Sequence, residues 1–166
     1  MGIFDFFKSN TITEPIFVKS DTTAQKQLDA LERLLAETPA NAPLYLKIQQ
    51  DIKMLKAGIH GEQNVEYELK SSFMPIYVFH DLFLHYKGLT AQIDYLVLHK
   101  NFILVIECKK LLGDIEITAK GDFIRRFKTE DGRTYKKEGI YSPIVQNERH
   151  CTILKQILSG IFPKVR

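Results

Sequence analysis

The stretch Phe102-Ile103-Leu104-Val105-Ile106-Glu107-Cys108-Lys109 is the most informative part of this 166-residue sequence. Five large apolar residues in a row predict a strand that is buried on both faces. Glu107 and Lys109 would continue that strand on a shared face, because side chains two apart in a strand point the same way. A buried charge must be paired, bind a metal ion or shift its pKa. The strand is therefore a candidate functional element.

The preceding predicted strand carries the same anomaly, a carboxylate at Asp94 in an otherwise apolar run. A tight turn at Lys100-Asn101 predicts that the two strands pair antiparallel, which sets Asp94 opposite about residue 106 and within one position of Glu107. Two such carboxylates repel unless a cation such as Mg²⁺ lies between them. The alternative is a structural ion pair of Lys109 with either acid.

The first part of the chain has the apolar spacing of helices. One helix is predicted over 21–35, and Pro43 opens a second that runs to about residue 57, so the two form an antiparallel hairpin. Gly58 and Gly61 are predicted to separate this hairpin from a third helix over 62–72.

After Pro75 the pattern changes to alternating β-branched and aromatic residues, which predicts strands. Ser142 and Pro143 then supply the cap and first position of a closing helix. This order predicts a mixed α/β (α+β) domain with one mixed central sheet flanked by helices. The strands are expected at 76–86, 90–99, 102–110, 113–119, 122–128 and 133–137.

The net charge of +3 is unevenly distributed. Residues 1–90 carry 9 Lys and Arg against 11 Asp and Glu, whereas residues 91–166 carry 14 against 9. A basic surface would attract a phosphate backbone, although ordinary solubilising charges on an exposed hairpin would look the same. The candidate nucleic-acid contacts are Lys120, Arg125, Arg126, Lys128, Arg133, Lys136 and Lys137.

Several classes of protein are disfavoured by composition and by missing motifs. With 45% hydrophobic residues and no long apolar run, the chain is expected to be neither disordered nor membrane-spanning. The opening residues do not have the pattern of a secretory signal, which favours the cytoplasm. No nucleophile elbow, P-loop or dinucleotide fingerprint occurs, and the five histidines lack ligand spacing and are interpreted as structural.

Asp94, twelve intervening residues and then Glu107-Cys108-Lys109 resemble the bipartite motif of PD-(D/E)XK nucleases, and the context resembles the NERD (nuclease-related) domain. The resemblance covers roughly Gly58 to Leu158. Besides the apolar strand and Gly113, it rests on three segments, which are Gly58-Ile59-His60-Gly61-Glu62, Thr90-Ala91-Gln92-Ile93-Asp94 and Pro143-Ile144-Val145-Gln146.

The resemblance implies a restriction-endonuclease-like core over 58–166, preceded by an N-terminal segment and helical hairpin over 1–57. It implies that Asp94 and Glu107 bind Mg²⁺ or Mn²⁺ and that Lys109 is the catalytic lysine. Glu62 would support or complete the metal site, and Gln146 would face it. These five residues are the predicted catalytic set.

Other roles remain open for two of these residues. Glu62 at a helix start would be favoured by the helix dipole, so it could be a cap, and Glu66 one turn later could substitute for it. Gln146 could be an ordinary solvated amide. The sequence departs from the family pattern at Ser142, where Asn is usual, and at Cys108, where an aliphatic residue is usual.

The resulting hypothesis is a Mg²⁺- or Mn²⁺-dependent DNA nuclease that hydrolyses phosphodiester bonds. The first alternative is a noncatalytic domain of the same fold that binds DNA or RNA and serves regulation. The second is an interaction domain in which the helical hairpin of residues 21–57 binds a protein partner or a second copy.

Overall fold

A computed structural model describes residues 12–111 and 113–162 of the chain. The predicted N-terminal segment therefore lies largely outside the described residues, which begin at Ile12. The described residues form a mixed α+β structure with N-terminal helices, which confirms the predicted fold class. The elements are β1 (Ile16–Lys19), α1 (Thr23–Glu37), α2 (Pro43–Lys70), β2 (Tyr77–Tyr86), β3 (Leu89–His99), β4 (Phe102–Ile106), β5 (Asp114–Ile117), β6 (Phe123–Lys128), β7 (Thr134–Ile140) and α3 (Pro143–Ile161).

The described chain divides into two compact units that do not follow sequence order. The first unit comprises residues up to Phe83 and the segment Gln92–Cys108. The second comprises the hairpin tip Leu84–Ala91 and the chain from Lys109 onward. The predicted strands thus fall into two sheets, where the sequence predicted one.

The sheet of the first unit has the strand order β1-β2-β3-β4 and is mixed, because β1 runs parallel to β2 while β4 runs antiparallel to β3. Its core is formed by Ile76, Val78, Tyr95 and Val97, against which side chains of α2 pack. The four-residue β1 was not predicted. Its partner β2 is some 60 residues away, and pairing at that distance leaves no local signal in so short a segment.

Helix α2 corrects the prediction of two separate helices, since it runs without a break through Gly58 and Gly61. Isolated glycines cost a helix only about 1 kcal/mol each. Packing at both ends offsets that cost, because Ile52 packs against α1 and Leu69 packs against the sheet. The predicted domain boundary at residue 57 falls inside this helix and stays a prediction.

Strand β4 corrects two further expectations. It ends at Ile106, so Glu107 and Lys109 follow the strand rather than continue it. It is also the edge of its sheet, and Phe102, Ile103 and Leu104 are 42%, 48% and 46% exposed rather than buried on both faces. An apolar run indicates a strand but does not reveal which of its faces is covered.

The second unit contains a three-stranded antiparallel sheet in the order β5-β6-β7 and helix α3. The turn before β7 includes Gly132, whose φ of 84° lies in the left-handed region that glycine adopts readily. Ser142 caps α3 by accepting a hydrogen bond from the Val145 amide, and Pro143 is its first residue, both as predicted. None of the helices in the described parts of the chain has the length and apolar character of a membrane span.

Candidate active site

The carboxylate of Asp94 is held at the end of β4 by the backbone. The Cys108 amide donates a hydrogen bond of 2.6 Å to Asp94 Oδ2, and the residue is partly buried on β3. Alternate residues of β3 at Ile93, Tyr95 and Val97 are fully buried. Asp94 therefore lies on the opposite face of the sheet from that core.

Glu107 lies at the register position predicted for it. The last pair of the β3–β4 ladder joins Tyr95 to Ile106, so the next step sets Asp94 beside Glu107. The Cys108 amide bond to Asp94 shows that the chain stays close to β3 just after Glu107. The turn at residues 100–101 and its register were thus predicted to within one residue, although β4 itself is shorter than predicted.

Lys109 and Gln146 belong to the second unit. Lys109 is exposed and follows Cys108 directly in the chain. Gln146 is half-buried in the first turn of α3, where its backbone N–H donates a hydrogen bond to the Ser142 carbonyl at 3.0 Å. Their roles remain predictions.

Glu62 lies in the interior of α2 rather than at a helix start, so the proposed capping role does not apply. Its Oε2 is 2.9 Å from Nε2 of His80 on β2. Its backbone carbonyl accepts a hydrogen bond of 3.0 Å from the Tyr95 hydroxyl. The rings of His80 and Tyr95 stack at 4.2 Å between centroids, with 11° between their planes.

The contact between His80 and Glu62 was not predicted from the sequence, in which every histidine was interpreted as structural. Its side chain is buried, and its partner Glu62 lies 18 residues earlier on a different element. No spacing rule connects a strand residue to a helix residue at that separation. The available signal was the polar strand position of His80 in an apolar run, since Glu62 lies among polar neighbours in the sequence.

Electrostatics keep the Tyr95 hydroxyl protonated. Burial raises the pKa of Tyr95 far above its ordinary value, and the negative charges of Glu66, Glu62 and Asp94 raise it further. The phenol is therefore a neutral donor to the Glu62 carbonyl at any physiological pH.

Glu66, the substitute candidate for Glu62, forms an ion pair of 2.6 Å with Lys70 on the same helix.

The ligand atoms that Asp94 and Glu107 offer are of the type that a hard divalent cation binds. Asp94 and Glu107 offer carboxylate oxygens, and Mg²⁺ commonly uses one or two protein carboxylates and completes its shell with water and phosphate oxygens. In residues 12–111 and 113–162, no group of three or more His, Cys, Asp or Glu side chains could hold a metal ion. Glu62 therefore does not form a three-carboxylate site with Asp94 and Glu107.

Most of the predicted nucleic-acid contacts are engaged by acids on their own sheet in the second unit. Hydrogen bonds from Lys136 and Arg125 hold the pKa of Glu138 below its ordinary value, so it stays ionised beside both cations. The ion pairs in this part of the chain are Arg125–Glu138, Arg126–Glu116, Lys128–Asp114, Arg133–Asp131 and Lys136–Glu138.

Lys120 and Lys137 are different, since within residues 113–162 neither takes part in an ion pair. Both line one groove of about 700 Å³ beside the start of α3. The groove is also lined by the exposed residue Tyr141 and by two carboxylates. Asp122 accepts a hydrogen bond from Thr118 at 3.2 Å, and Glu138 pairs with Arg125 and Lys136. Among the seven candidate nucleic-acid contacts, these two lysines are the ones whose charge is not offset by an ion pair within residues 113–162.

The fold and the site define a mixed α+β protein with two neighbouring carboxylates, one in the middle of β3 and one directly after β4. The family model of the nuclease-related domain, NERD, matches residues 57–166, which is more than half of the chain. The chain belongs to this family, which indicates a nuclease-related function, with nucleic acid as the class of partner and divalent-metal dependence in general. No curated protein and no solved structure matches the chain.

Proposed function

We propose that the chain is a metal-dependent nuclease that hydrolyses phosphodiester bonds of DNA in the cytoplasm. The observation that carries the proposal is the register that sets Asp94, in the middle of β3, beside Glu107, which directly follows β4, with the Cys108 amide fixing Asp94. Family membership supports the same reaction class.

Each candidate active-site residue has a distinct task in this proposal. Asp94 and Glu107 would hold Mg²⁺ or Mn²⁺, and the amide of Cys108 orients Asp94 for that purpose. When bound, the ion would polarise the scissile phosphate and generate the nucleophilic hydroxide. Lys109, two residues after Glu107 in the chain, would stabilise the charge that develops on the phosphate. Gln146 stays a candidate polar contact of the active site.

Nucleic acid would be held mainly by Lys120 and Lys137. Neither is in an ion pair within residues 113–162, so a phosphate can bind without displacing an internal acid. The neighbouring residue Tyr141 is 61% exposed, and its ring offers a surface on which a base can stack. Contacts of this kind recognise the backbone rather than the sequence.

The test is cleavage of plasmid and linear DNA by wild type, Asp94→Asn and Glu107→Gln, with Mg²⁺, Mn²⁺ or EDTA. The proposal expects cleavage by wild type with metal only, and a loss of at least about 100-fold in either variant. Glu130→Gln, which changes an exposed acid in the β6–β7 turn, is the matched control and should retain activity. Equal cleavage by all four proteins would contradict the assignment.

A second candidate is a noncatalytic domain that binds nucleic acid. It is favoured by the lack of a ready-made group of three metal-binding side chains within the described residues. This candidate predicts salt-sensitive DNA binding that survives EDTA, with no cleavage under any metal condition.

The α1–α2 hairpin remains a proposed surface for a protein partner or a second copy. Several of its large apolar side chains are exposed, among them Leu34, Leu44, Leu46 and Met54. Replacing Leu46 and Met54 by Glu and measuring molar mass in solution tests this. An unchanged mass, together with unchanged partner binding, would contradict the proposal.

A further inference from the structure

A cleft of about 480 Å³ lies in the second unit, between the tip of the β2–β3 hairpin and helix α3. Tyr86 and Lys87 line it from the hairpin, and its other lining residues belong to α3. The cleft shares no residue with the candidate active site or with the groove of Lys120 and Lys137. The function proposed above therefore leaves it without a role.

The α3 side of the cleft is a single polar stripe, because its residues recur at the three- and four-residue spacing that places side chains on one face of a helix. They are Thr152, Lys155, Gln156, Ser159 and Gly160, and all are exposed. The Thr152 hydroxyl already donates to the Glu148 carbonyl at 2.9 Å. The donors left on this stripe are Lys155, Gln156 and Ser159, and none of the described residues that line the cleft is acidic.

Gly160 allows the hairpin tip to approach α3 closely. A Cβ at this position would lie 2.5 Å from the Tyr86 hydroxyl oxygen, so a residue with a side chain would displace Tyr86. Lys87 follows Tyr86 directly, and its Nζ lies 5.2 Å from the centre of the Tyr86 ring. The contact of Tyr86 with α3 therefore brings a second lysine to the cleft that Lys155 lines.

Both lysines of the cleft carry a charge that no internal acid offsets. Within residues 12–111 and 113–162, neither Lys87 nor Lys155 takes part in an ion pair. Lys128 and Lys136, on the sheet of the same unit, are paired with acids. An anion can therefore bind in the cleft without displacing a carboxylate.

Lys87 also has a backbone conformation that lysine rarely adopts. Lys87 and Gly88 are the two residues between β2 and β3, and their φ values of 48° and 80° are both positive, as in a type I′ turn. Asn, Asp and Gly are favoured at the first position of that turn, because the left-handed region costs them less. A lysine there lowers stability, and strain of this kind is typical of functional positions.

We propose that this cleft binds a phosphate group of nucleic acid through the ammonium groups of Lys87 and Lys155. Gln156 and Ser159 add hydrogen bonds from α3. A phosphate fits this lining because it combines negative charge with several acceptor oxygens, which two lysines can share. Nucleic acid is the class of partner that the family indicates. The proposal goes beyond the nuclease function, since it concerns binding and needs no catalytic step.

The experiment measures binding of a fluorescent duplex oligonucleotide to the full-length protein by anisotropy, in EDTA and at several salt concentrations. Replacing Lys87 by Asn and Lys155 by Gln together should reduce the slope of log affinity against log salt by about two, one for each lysine. The charge-matched control replaces Lys47 and Lys53, two exposed lysines of α2, by Gln and should leave the slope unchanged.

Oligonucleotides with and without a 5′-phosphate distinguish the two sources of the phosphate. A loss of affinity confined to the phosphorylated strand assigns a terminal phosphate to the cleft, and equal losses assign an internal one. If the control lowers the slope as much as the cleft variant does, the effect is one of general charge and the proposal is wrong.

Lys87→Asn alone separates binding from folding. Because Asn adopts the left-handed region more readily than Lys, this variant should unfold at the same or a higher temperature than wild type while its slope falls by about one. A lower unfolding temperature with an unchanged slope would show that Lys87 is only structural and would overturn the proposal.

This proposal and the nuclease function can fail separately. If wild type cleaves DNA but the cleft variants keep the wild-type slope, the proposal is wrong and the nuclease function stands. If DNA binds through the cleft but no metal ion supports cleavage, the nuclease function is wrong and the proposal stands.

Discussion

The backbone amide of Cys108 donates a 2.6 Å hydrogen bond to Oδ2 of Asp94, which joins the residue after Glu107 to the strand that carries the other acid. This bond needs an acceptor oxygen but not a negative charge. Structural and chemical roles of Asp94 can therefore be separated by substitution.

Asp94→Asn keeps an acceptor for the Cys108 amide, whereas Asp94→Ala leaves that partly buried amide without one. We expect Asp94→Asn to unfold within about 1 kcal/mol of wild type and Asp94→Ala to lose about 1–3 kcal/mol. Both should lose cleavage, because both remove the charge that holds the metal ion. Urea denaturation and a cleavage assay check the two parts, and a stable, active Asp94→Ala would refute this account.

Asp81 predicts a pH dependence of stability. Burial alone would raise its pKa, but hydrogen bonds from the Thr23 amide at 2.6 Å and from Gln92 at 2.7 Å, with nearby Lys19, bring it below its ordinary value. The folded state therefore holds the proton of Asp81 less tightly than the unfolded state does. The ionised carboxylate stabilises the fold above about pH 4, and this stabilisation is lost as the pH falls through the folded pKa of Asp81.

The measurement is the free energy of unfolding of wild type and Asp81→Asn between about pH 7 and pH 3. The variant should be less stable at neutral pH by about 1–3 kcal/mol. The gap should narrow as the solution becomes acidic. A gap that stays constant over this range would contradict the role assigned to Asp81.

The groove lysines predict a specific change in salt dependence. Replacing Lys120 and Lys137 by Gln should reduce the slope of log affinity against log salt by about one for each lysine that contacts a phosphate. The matched control replaces Lys128 and Lys136, which are in ion pairs of 2.6 and 2.7 Å with Asp114 and Glu138. DNA titrations by fluorescence anisotropy at several salt concentrations measure both. If the control pair changes the slope more, the groove is not the binding surface.

Two glycines with similar backbone angles should respond differently to alanine. Gly113 and Gly121 have φ of 87° and 84°, but a Cβ on Gly113 would lie 2.6 Å from the Arg126 carbonyl oxygen, whereas one on Gly121 meets nothing within 4 Å. Gly121→Ala should cost about 1 kcal/mol for its backbone conformation, and Gly113→Ala at least about 2 kcal/mol. Chemical denaturation of both variants measures the difference, and equal costs would contradict the close approach to β6.

Local patterns predicted the elements that depend on local physics. Ser142 and Pro143 predicted the start of α3, and the two residues between β3 and β4 predicted the register that brings Asp94 beside Glu107. The predictions that were wrong concern features set by contacts between residues far apart in the sequence. The exposure of Phe102 follows from the position of β4 at a sheet edge, which no local pattern encodes.

The candidate site shows the same division. The spacing of Asp94 and Glu107 was visible in the sequence because one short hairpin sets it. The contact of His80 with Glu62 was not visible, since it depends on how α2 packs against β2. The pairing of most basic residues on β6 and β7 was also hidden, because net charge does not show which charges neighbour each other.

The central claim is that Asp94 and Glu107 hold a metal ion for phosphodiester cleavage. Its most direct test is the single-turnover rate of DNA cleavage at saturating Mn²⁺ for wild type, Glu107→Gln and the control Glu130→Gln. The account predicts that Glu107→Gln is slower by at least about 100-fold while Glu130→Gln matches wild type. Equal rates for Glu107→Gln and wild type, with both proteins folded, would contradict it.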